Sequence, residues 1–182
     1  MKDRLVVGID IGGTKIAAAA IDAQGQILSR RAMPTDAERG FQDGVRRIVR
    51  LTGQVMADAG HRPIDLDAIG IGCAGPVNPL TGTIDNPYTL PTWDGVNIVQ
   101  SLQEVFDVPV ALENDADAAA LGECWLGAGQ GASIVVMVTV GTGIGGGVII
   151  GGHVYRGVDG AHPEIGHLAI DVQNRAGGIG ID

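Results

Sequence analysis

The sequence predicts an α/β fold built on a mixed sheet. Two stretches share a strand–glycine turn–strand plan, "VVGIDIGGTKIAAAAID" at 6–22 and "VVMVTVGTGIGGGVIIG" at 135–151. Between them, helical and extended apolar patterns alternate. A meander followed by alternating helices and strands calls for antiparallel and parallel neighbours in one sheet.

Each element has a local reason. "RLVVGID" (4–10) is a short apolar strand, "GGT" turns it, "KIAAAAID" (15–22) returns, and "AQG" leads into "QILSRRAM". From 41 to 59, Phe41, Val45, Ile48, Val55, Met56 and Ala59 recur at helical spacing, with Arg46, Arg47 and Arg50 opposite. "DAIGIGCAG" reads as a buried strand ending in a glycine loop. Residues 76–93 hold Pro76, Pro79, Pro87 and Pro91 and read as a long rigid loop of functional length. Ile98, Leu102, Val105 and Phe106 mark a short amphipathic helix, and "VPVALEN" a strand. The helix formers of "DADAAALGECWLG" follow, with Asn114 or Asp115 placed to cap them. "ASIVVMVTV" and "GGVIIGG" are the closing strands.

Composition narrows the function classes. With 45% hydrophobic residues the 182-residue chain can bury a proper core in one or two small domains. Its formal charge of −9 argues against nucleic acid or an anionic membrane surface as a partner, although local backbone N–H groups can still hold an anion. Cys73 and Cys124 both sit in apolar settings and read as reduced, buried thiols of a cytoplasmic protein. The charged start of "MKDRLVVGIDIGG" leads to Asp10 and a glycine turn, not to a signal-peptide core. Residues 124–155 carry no Asp, Glu, Lys or Arg, but glycines cut them into short β-branched pieces that read as strands, not as a membrane span.

Within the second hairpin, "GTGIGG" spells a dinucleotide-binding fingerprint. That fingerprint requires a helix after the turn, so that the helix N-terminus faces the pyrophosphate. Here "GVIIGGHVY" follows, which cannot propagate a helix, and no Gly-Lys-Ser/Thr closes a Walker loop. Two glycine-cornered hairpins facing each other would instead present backbone N–H groups and threonine hydroxyls, donors suited to phosphate oxygens.

"GIDIGGTK", "GPV", "ENDADAAALGE", "VGTGIGGG" and "HPEIGH", in this order over residues 4–171, resemble the ROK family of sugar kinases, which has the actin-like ATPase (ribonuclease H-like) fold. The resemblance implies an N-terminal subdomain at 1–114 and the start of a C-terminal one at 115–182. It implies ATP-dependent phosphorylation of a hexose, with ATP and Mg2+ as the companions of the sugar. Asp115 would be the base that takes the proton of the sugar hydroxyl, a role its fixed position between strand and helix suits. Asn114, Glu164 and His167 would hold the sugar, with Gly75 and Asn86 lining its pocket. Asp10 would organise Mg2+, and Gly12, Gly13, Thr14 and Lys15, with Gly141, Thr142 and Gly143, would cradle phosphate. The motif reads "NDAD" where family members often have "NDAN", so Asp117 is a departure.

Many family members bind a structural zinc through the histidine matching His167 and three downstream cysteines. The region here, "LAIDVQNRAGGIGID", has no cysteine, so no zinc is expected and no metal-ligating residue is assigned. Family chains run further, so the second domain is expected to be incomplete, with apolar surface exposed on the strands at 133–155. Family precedent implies a homodimer. A non-catalytic sugar- or nucleotide-binding sensor is the alternative to an enzyme. Family repressors carry a DNA-binding segment ahead of this domain, and the first strand here starts at Arg4, so nucleic-acid binding is not expected.

Overall fold

A computed structural model describes residues 5–141, 143–157, 162 and 165–167, and the chain divides into two compact units, Met1–Asp115 and Ala116–Asp182.

In the first unit β1 (Leu5–Ile11), β2 (Lys15–Asp22) and β3 (Ile27–Pro34) form an antiparallel meander. The alternating residues Val7, Ile9 and Ile11 of β1, and Ile16, Ala18 and Ala20 of β2, are buried, as a period of two on a half-covered sheet requires. Their cover is helix α1 (Phe41–Asp58), which packs on β2 and β3 through Val45, Ile48, Leu51, Val55 and Met56. Each such large side chain contributes about 1.5–3 kcal/mol when fully buried.

Strand β4 (Leu66–Cys73) then lies parallel to β1. The next segment departs from the loop expected at 76–93. It holds β5 (Val77–Asn78), β6 (Thr83–Ile84) and β7 (Val96–Asn97) in a small antiparallel sheet, with a 3-10 turn at Pro91–Trp93. Two-residue strands are too short to show an alternation in sequence. What fixes them is local: the Asn78 side chain accepts the N–H groups of Leu80 and Thr81, and Ile84, Leu90 and Trp93 are fully buried. Helix α2 (Ile98–Phe106) follows, with the Asn97 side chain accepting the N–H of Gln100 as its N-cap. Strand β8 (Val110–Asn114) pairs parallel to β4 and completes the order β3-β2-β1-β4-β8, a mixed sheet with a leading meander as the sequence predicts.

Helix α3 (Asp115–Leu126) starts on the last residue of the first unit and runs into the second. There β9 (Ile134–Val140), β10 (Ile144–Ile150) and β11 (His153–Val154) form an antiparallel sheet in the order β11-β10-β9. The strand after "GTG" is therefore β10, and no helix opens there. A Cβ on Gly147 would lie 2.7 Å from the Ala120 Cβ and 3.0 Å from the Ala116 carbonyl oxygen, so this glycine lets α3 lie directly on β10. The opposite face of β9 is bare among the described residues: Ile134, Val136, Val138 and Val140 are 62%, 61%, 53% and 82% exposed. Apolar surface of the kind expected at 133–155 is present. No helix among the described residues is long and apolar enough to cross a membrane.

Candidate active site

The three parallel strands of the first unit end flush. Ile11 pairs with Cys73, and Cys73 with Asn114, so the segments that follow β1, β4 and β8 emerge side by side at the C-terminal edge of the sheet. Open α/β sheets bind ligands at this edge. Asp10 lies exposed one residue before the end of β1, and Asp115 lies exposed one residue past the end of β8. The Cys73 thiol between them is pushed up to about 12, first by burial and then by the negative charges of Asp115 and Asp10. Both carboxylates thus bear on the same point of the edge.

The turn from β1 to β2 is closed by Gly12 N–H donating to the Lys15 carbonyl at 2.9 Å. A Cβ on Gly12 would stand 3.1 Å from that same oxygen, so the turn is tight enough to disfavour any side chain there. Gly13, Thr14 and Lys15 are exposed. Among the described residues the N–H groups of Gly13 and Thr14 have no hydrogen-bond partner, which leaves two neighbouring donors beside a lysine. Such a pair is the elementary unit of an anion-binding concavity.

Thr35 braces this turn from behind. It is fully buried, its Oγ1 donates to the Gly12 carbonyl at 2.6 Å, and its N–H donates to the Thr14 carbonyl at 3.0 Å. Arg47 of α1 in turn donates to the Thr35 and Pro34 carbonyls at 2.8 and 2.5 Å, and pairs with Asp36 at 3.1 Å. Of the three arginines of α1, Arg47 is therefore more than a solvated residue.

After β4, Ala74 N–H donates to the Ile11 carbonyl at 2.9 Å, and Gly75 adopts φ +76°. The Asn114 side-chain N–H donates to the Gly75 carbonyl at 3.1 Å, tying the ends of β4 and β8 together. On its other side Gly75 meets Asn86: a Cβ at 75 would lie 2.3 Å from Asn86 Nδ2. Positive φ and this contact both require glycine at that position.

Asn86 is 1% exposed, and its amide serves its own loop. Nδ2 donates to the Ala74 carbonyl at 2.7 Å and to the Thr89 hydroxyl, while Oδ1 accepts the N–H groups of Tyr88 and Thr89 at 3.2 and 3.0 Å. Two donors and two lone pairs are then all engaged. Asn86 thus lies beside Gly75 and frames its own loop. Thr89 of that loop is exposed, and its Cβ and carbonyl oxygen would be 3.5 Å from a Cβ on Gly13. Asn114, Gly75, Asn86, Thr89 and the glycine turn thus form one continuous series of contacts.

In the second unit, Gly141 N–H donates to the Gly143 carbonyl at 2.9 Å in the turn between β9 and β10. Thr142, Glu164 and the His167 side chain lie outside the described residues. The His167 backbone ends a single 3-10 turn, Ile165–His167. Asp117 is fully buried. Its Oδ2 lies 2.8 Å from His162 Nδ1 and 3.8 Å from Arg156 Nη1.

A model of the ROK family matches residues 6–181. The chain belongs to the ROK family. It is 35% identical to a glucokinase of Halalkalibacterium halodurans over 170 residues, 93% of this chain and 51% of that protein. The ROK hexokinase of Thermus thermophilus superposes with a TM-score of 0.80 at 42% identity, over 91% of this chain and 53% of the other. A ROK glucokinase of Streptomyces griseus, solved in complex with glucose and AMPPNP, gives 0.77 at 38% identity, over 92% and 51%. The fold is that of the actin-like ATPases, and the chain spans about half the length of the curated relatives it matches.

Three features of this ROK domain were not readable as functional in the sequence. Thr35 follows Pro34 at a strand end and carries no motif. Thr89 is one of several polar residues in a proline-rich run. The Asp117–His162 contact joins residues 45 apart. The only signal for it was the departure at Asp117 itself.

Proposed function

We propose that this chain supplies the sugar-phosphorylating machinery of an ATP-dependent hexose kinase. The observation that carries the reading is the flush register of Ile11, Cys73 and Asn114, which sets Asp10, the Gly12–Lys15 turn, Gly75 and Asp115 on one sheet edge. The kinship with glucokinases supports the same reaction class.

In this reading Asp115, rigid as the first residue of α3, takes the proton of a primary hydroxyl as that oxygen attacks the γ-phosphorus of ATP. The new P–O bond forms while the bond to the β-phosphate oxygen breaks, and ADP leaves. Asn114, tied by its side-chain N–H to the Gly75 carbonyl, is held in place to contact the sugar. Glu164 and His167 hold further hydroxyls. Asn86 acts through the loop it frames and does not touch the sugar itself. The N–H groups of Gly13 and Thr14, unpaired among the described residues, bind phosphate oxygens beside the charge of Lys15, and Gly141, Thr142 and Gly143 are assigned to phosphate with them. Among the described residues no three His, Cys, Asp or Glu side chains gather into a metal cluster. Mg2+ would rest on Asp10, directly or through water, and on the substrate's phosphates, the sparse ligation usual for it, and supply charge neutralisation.

The test is ADP release, coupled to an optical signal, with a panel of hexoses and N-acetylhexosamines. Wild type is expected to turn over at least one of them, and Asp115→Asn to lower kcat by about 10²–10⁴-fold with sugar binding retained. Undiminished turnover in Asp115→Asn overturns the base assignment. Hexose binding by calorimetry without ADP release in wild type overturns the kinase reading in favour of a sensor.

A further inference from the structure

Asp117 is a carboxylate buried completely on a helix whose first residue, two positions earlier, is the exposed Asp115. A step of two residues turns a helix by about 200°, so the two carboxylates point to opposite sides. Asp117 belongs to the stripe with Ala116 and Ala120 that faces β10, and a Cβ on Gly147 would come within 3.0 Å of its Oδ1. A buried carboxylate must be compensated, because its desolvation costs several kcal/mol. The compensation comes from outside the helix: His162 Nδ1 at 2.8 Å and Arg156 Nη1 at 3.8 Å, both on Oδ2. An ionised carboxylate only accepts, so the Nδ1 proton is on the imidazole side of this bond.

His162 opens the run "HPEIGH", which carries Glu164 and His167. The following Pro163 restricts the His162 backbone to extended conformations. Downstream, Ile165 Cδ1 would lie 3.1 Å from a Cβ on Gly146, so the same run touches β10 again.

We infer that Asp117 and His162 form a clamp that fastens the chain at residue 162 onto α3, and that both are positioning residues for the sugar ligands proposed just after it. This inference rests on the kinase reading for the word sugar, though not for the clamp. The "NDAD" departure is then explained: with aspartate at 117 the contact is charge-assisted and stronger than an amide would make it. Arg156, 26% exposed, contributes charge from the rim and is a weaker partner at its longer distance.

The test uses the full chain with His162→Ala, chosen because this side chain is 17% exposed and outside the helix, and His162→Asn, whose Nδ2 can donate from nearly the position of the imidazole Nδ1. Two readouts are compared: hydrogen–deuterium exchange resolved by peptide, and steady-state kinetics with sugar and ATP varied separately. Loss of one charge-assisted bond corresponds to about 10–100-fold. His162→Ala is expected to speed exchange by that factor over 156–167 only, and to raise the KM for hexose comparably with kcat and the KM for ATP changed less than about threefold. His162→Asn restores most of both. Unchanged exchange over 156–167 in His162→Ala overturns the clamp. Faster exchange with an unaltered hexose KM overturns the positioning role. If wild type phosphorylates no hexose, the kinase reading falls by itself, and the exchange data still judge the clamp.

Discussion

Replacing each of two glycines of α1 by alanine sets helix propensity against packing in one helix. Alanine is worth about 0.8–1 kcal/mol over glycine in a helix interior. At Gly53 nothing lies within 4 Å of the added Cβ, so Gly53→Ala should stabilise by close to that amount. At Gly44 the Cβ would stand 2.0 Å from Trp93 Cζ2 and 2.5 Å from Cη2. Carbon atoms at rest are about 3.5–4.0 Å apart, so the indole must retreat by roughly 1.5 Å. Trp93 is fully buried and packs edge-on against Phe41, with ring centroids 5.7 Å apart at 78°, which leaves it nowhere to go without moving its loop. Overpacking of this kind costs about 1–3 kcal/mol, and the severity of the overlap points to the upper end. Net of propensity, Gly44→Ala should destabilise by about 1–2 kcal/mol, a gap of about 2–3 kcal/mol between the two variants. Urea denaturation followed by far-UV circular dichroism and tryptophan emission measures both, and buried Trp93 reports apart from Trp125, which is 54% exposed. Because Trp93 anchors the connection holding Asn86 and Thr89, Gly44→Ala should also raise the KM for hexose while Gly53→Ala does not. Equal stabilisation by the two substitutions refutes the packing of Trp93 on α1.

Further outcomes follow from other contacts. Thr35→Val keeps the volume but removes the 2.6 Å bond to the Gly12 carbonyl, and should cost about 1 kcal/mol and raise the KM for ATP more than that for hexose; an unchanged ATP KM removes the brace from the mechanism. The Cys73 thiol, pushed from 9.0 to about 12 in the folded chain, favours the folded state fully below pH 9 and loses that contribution as pH climbs from 9 to 12, by at most about 1.4 kcal/mol per pH unit; Cys73→Ala should flatten that alkaline slope in urea titrations. At pH 8 a thiol reagent should label partly exposed Cys124 first and Cys73 only as the protein unfolds. Val136→Lys with Val138→Lys places two charges on the bare face of β9; dye binding and sedimentation should show less exposed apolar surface and less self-association at unchanged circular dichroism.

Much of this was legible in the sequence because the signals are local. The meander shows in alternating apolar residues around "GGT", and the rejection of a dinucleotide fingerprint needed only the β-branched run after "GTGIGG". Helix α1 follows from its periodicity, but Leu51 escaped the list of apolar positions although it is 3% exposed. What sequence could not give is what depends on contact between distant segments. Gly44 looks like an ordinary weak point of a helix until Trp93 is seen against it. Asn86 reads as a pocket-lining residue, and nothing in the sequence shows that its four bonds are made within its own loop region. The Thr35 hydroxyl is silent in the sequence because its partner is a backbone carbonyl 23 residues away.

The flush register of β1, β4 and β8 also governs when the site comes into being. Asp10, Gly75 and Asp115 are contributed by three separate stretches of the chain, and no two of them are neighbours until the parallel strands have zipped together. A slip of one residue in either parallel pairing would displace its loop by about 3.3 Å and turn its side chains to the other face, so a misregistered sheet yields no partial pocket. On the proposed kinase reading, ligand recognition would then be a late, all-or-none event in the folding of the first unit. Sugar or nucleotide added to a refolding chain should leave the early rate constants alone and act on unfolding, which makes ligand a direct reporter of sheet closure.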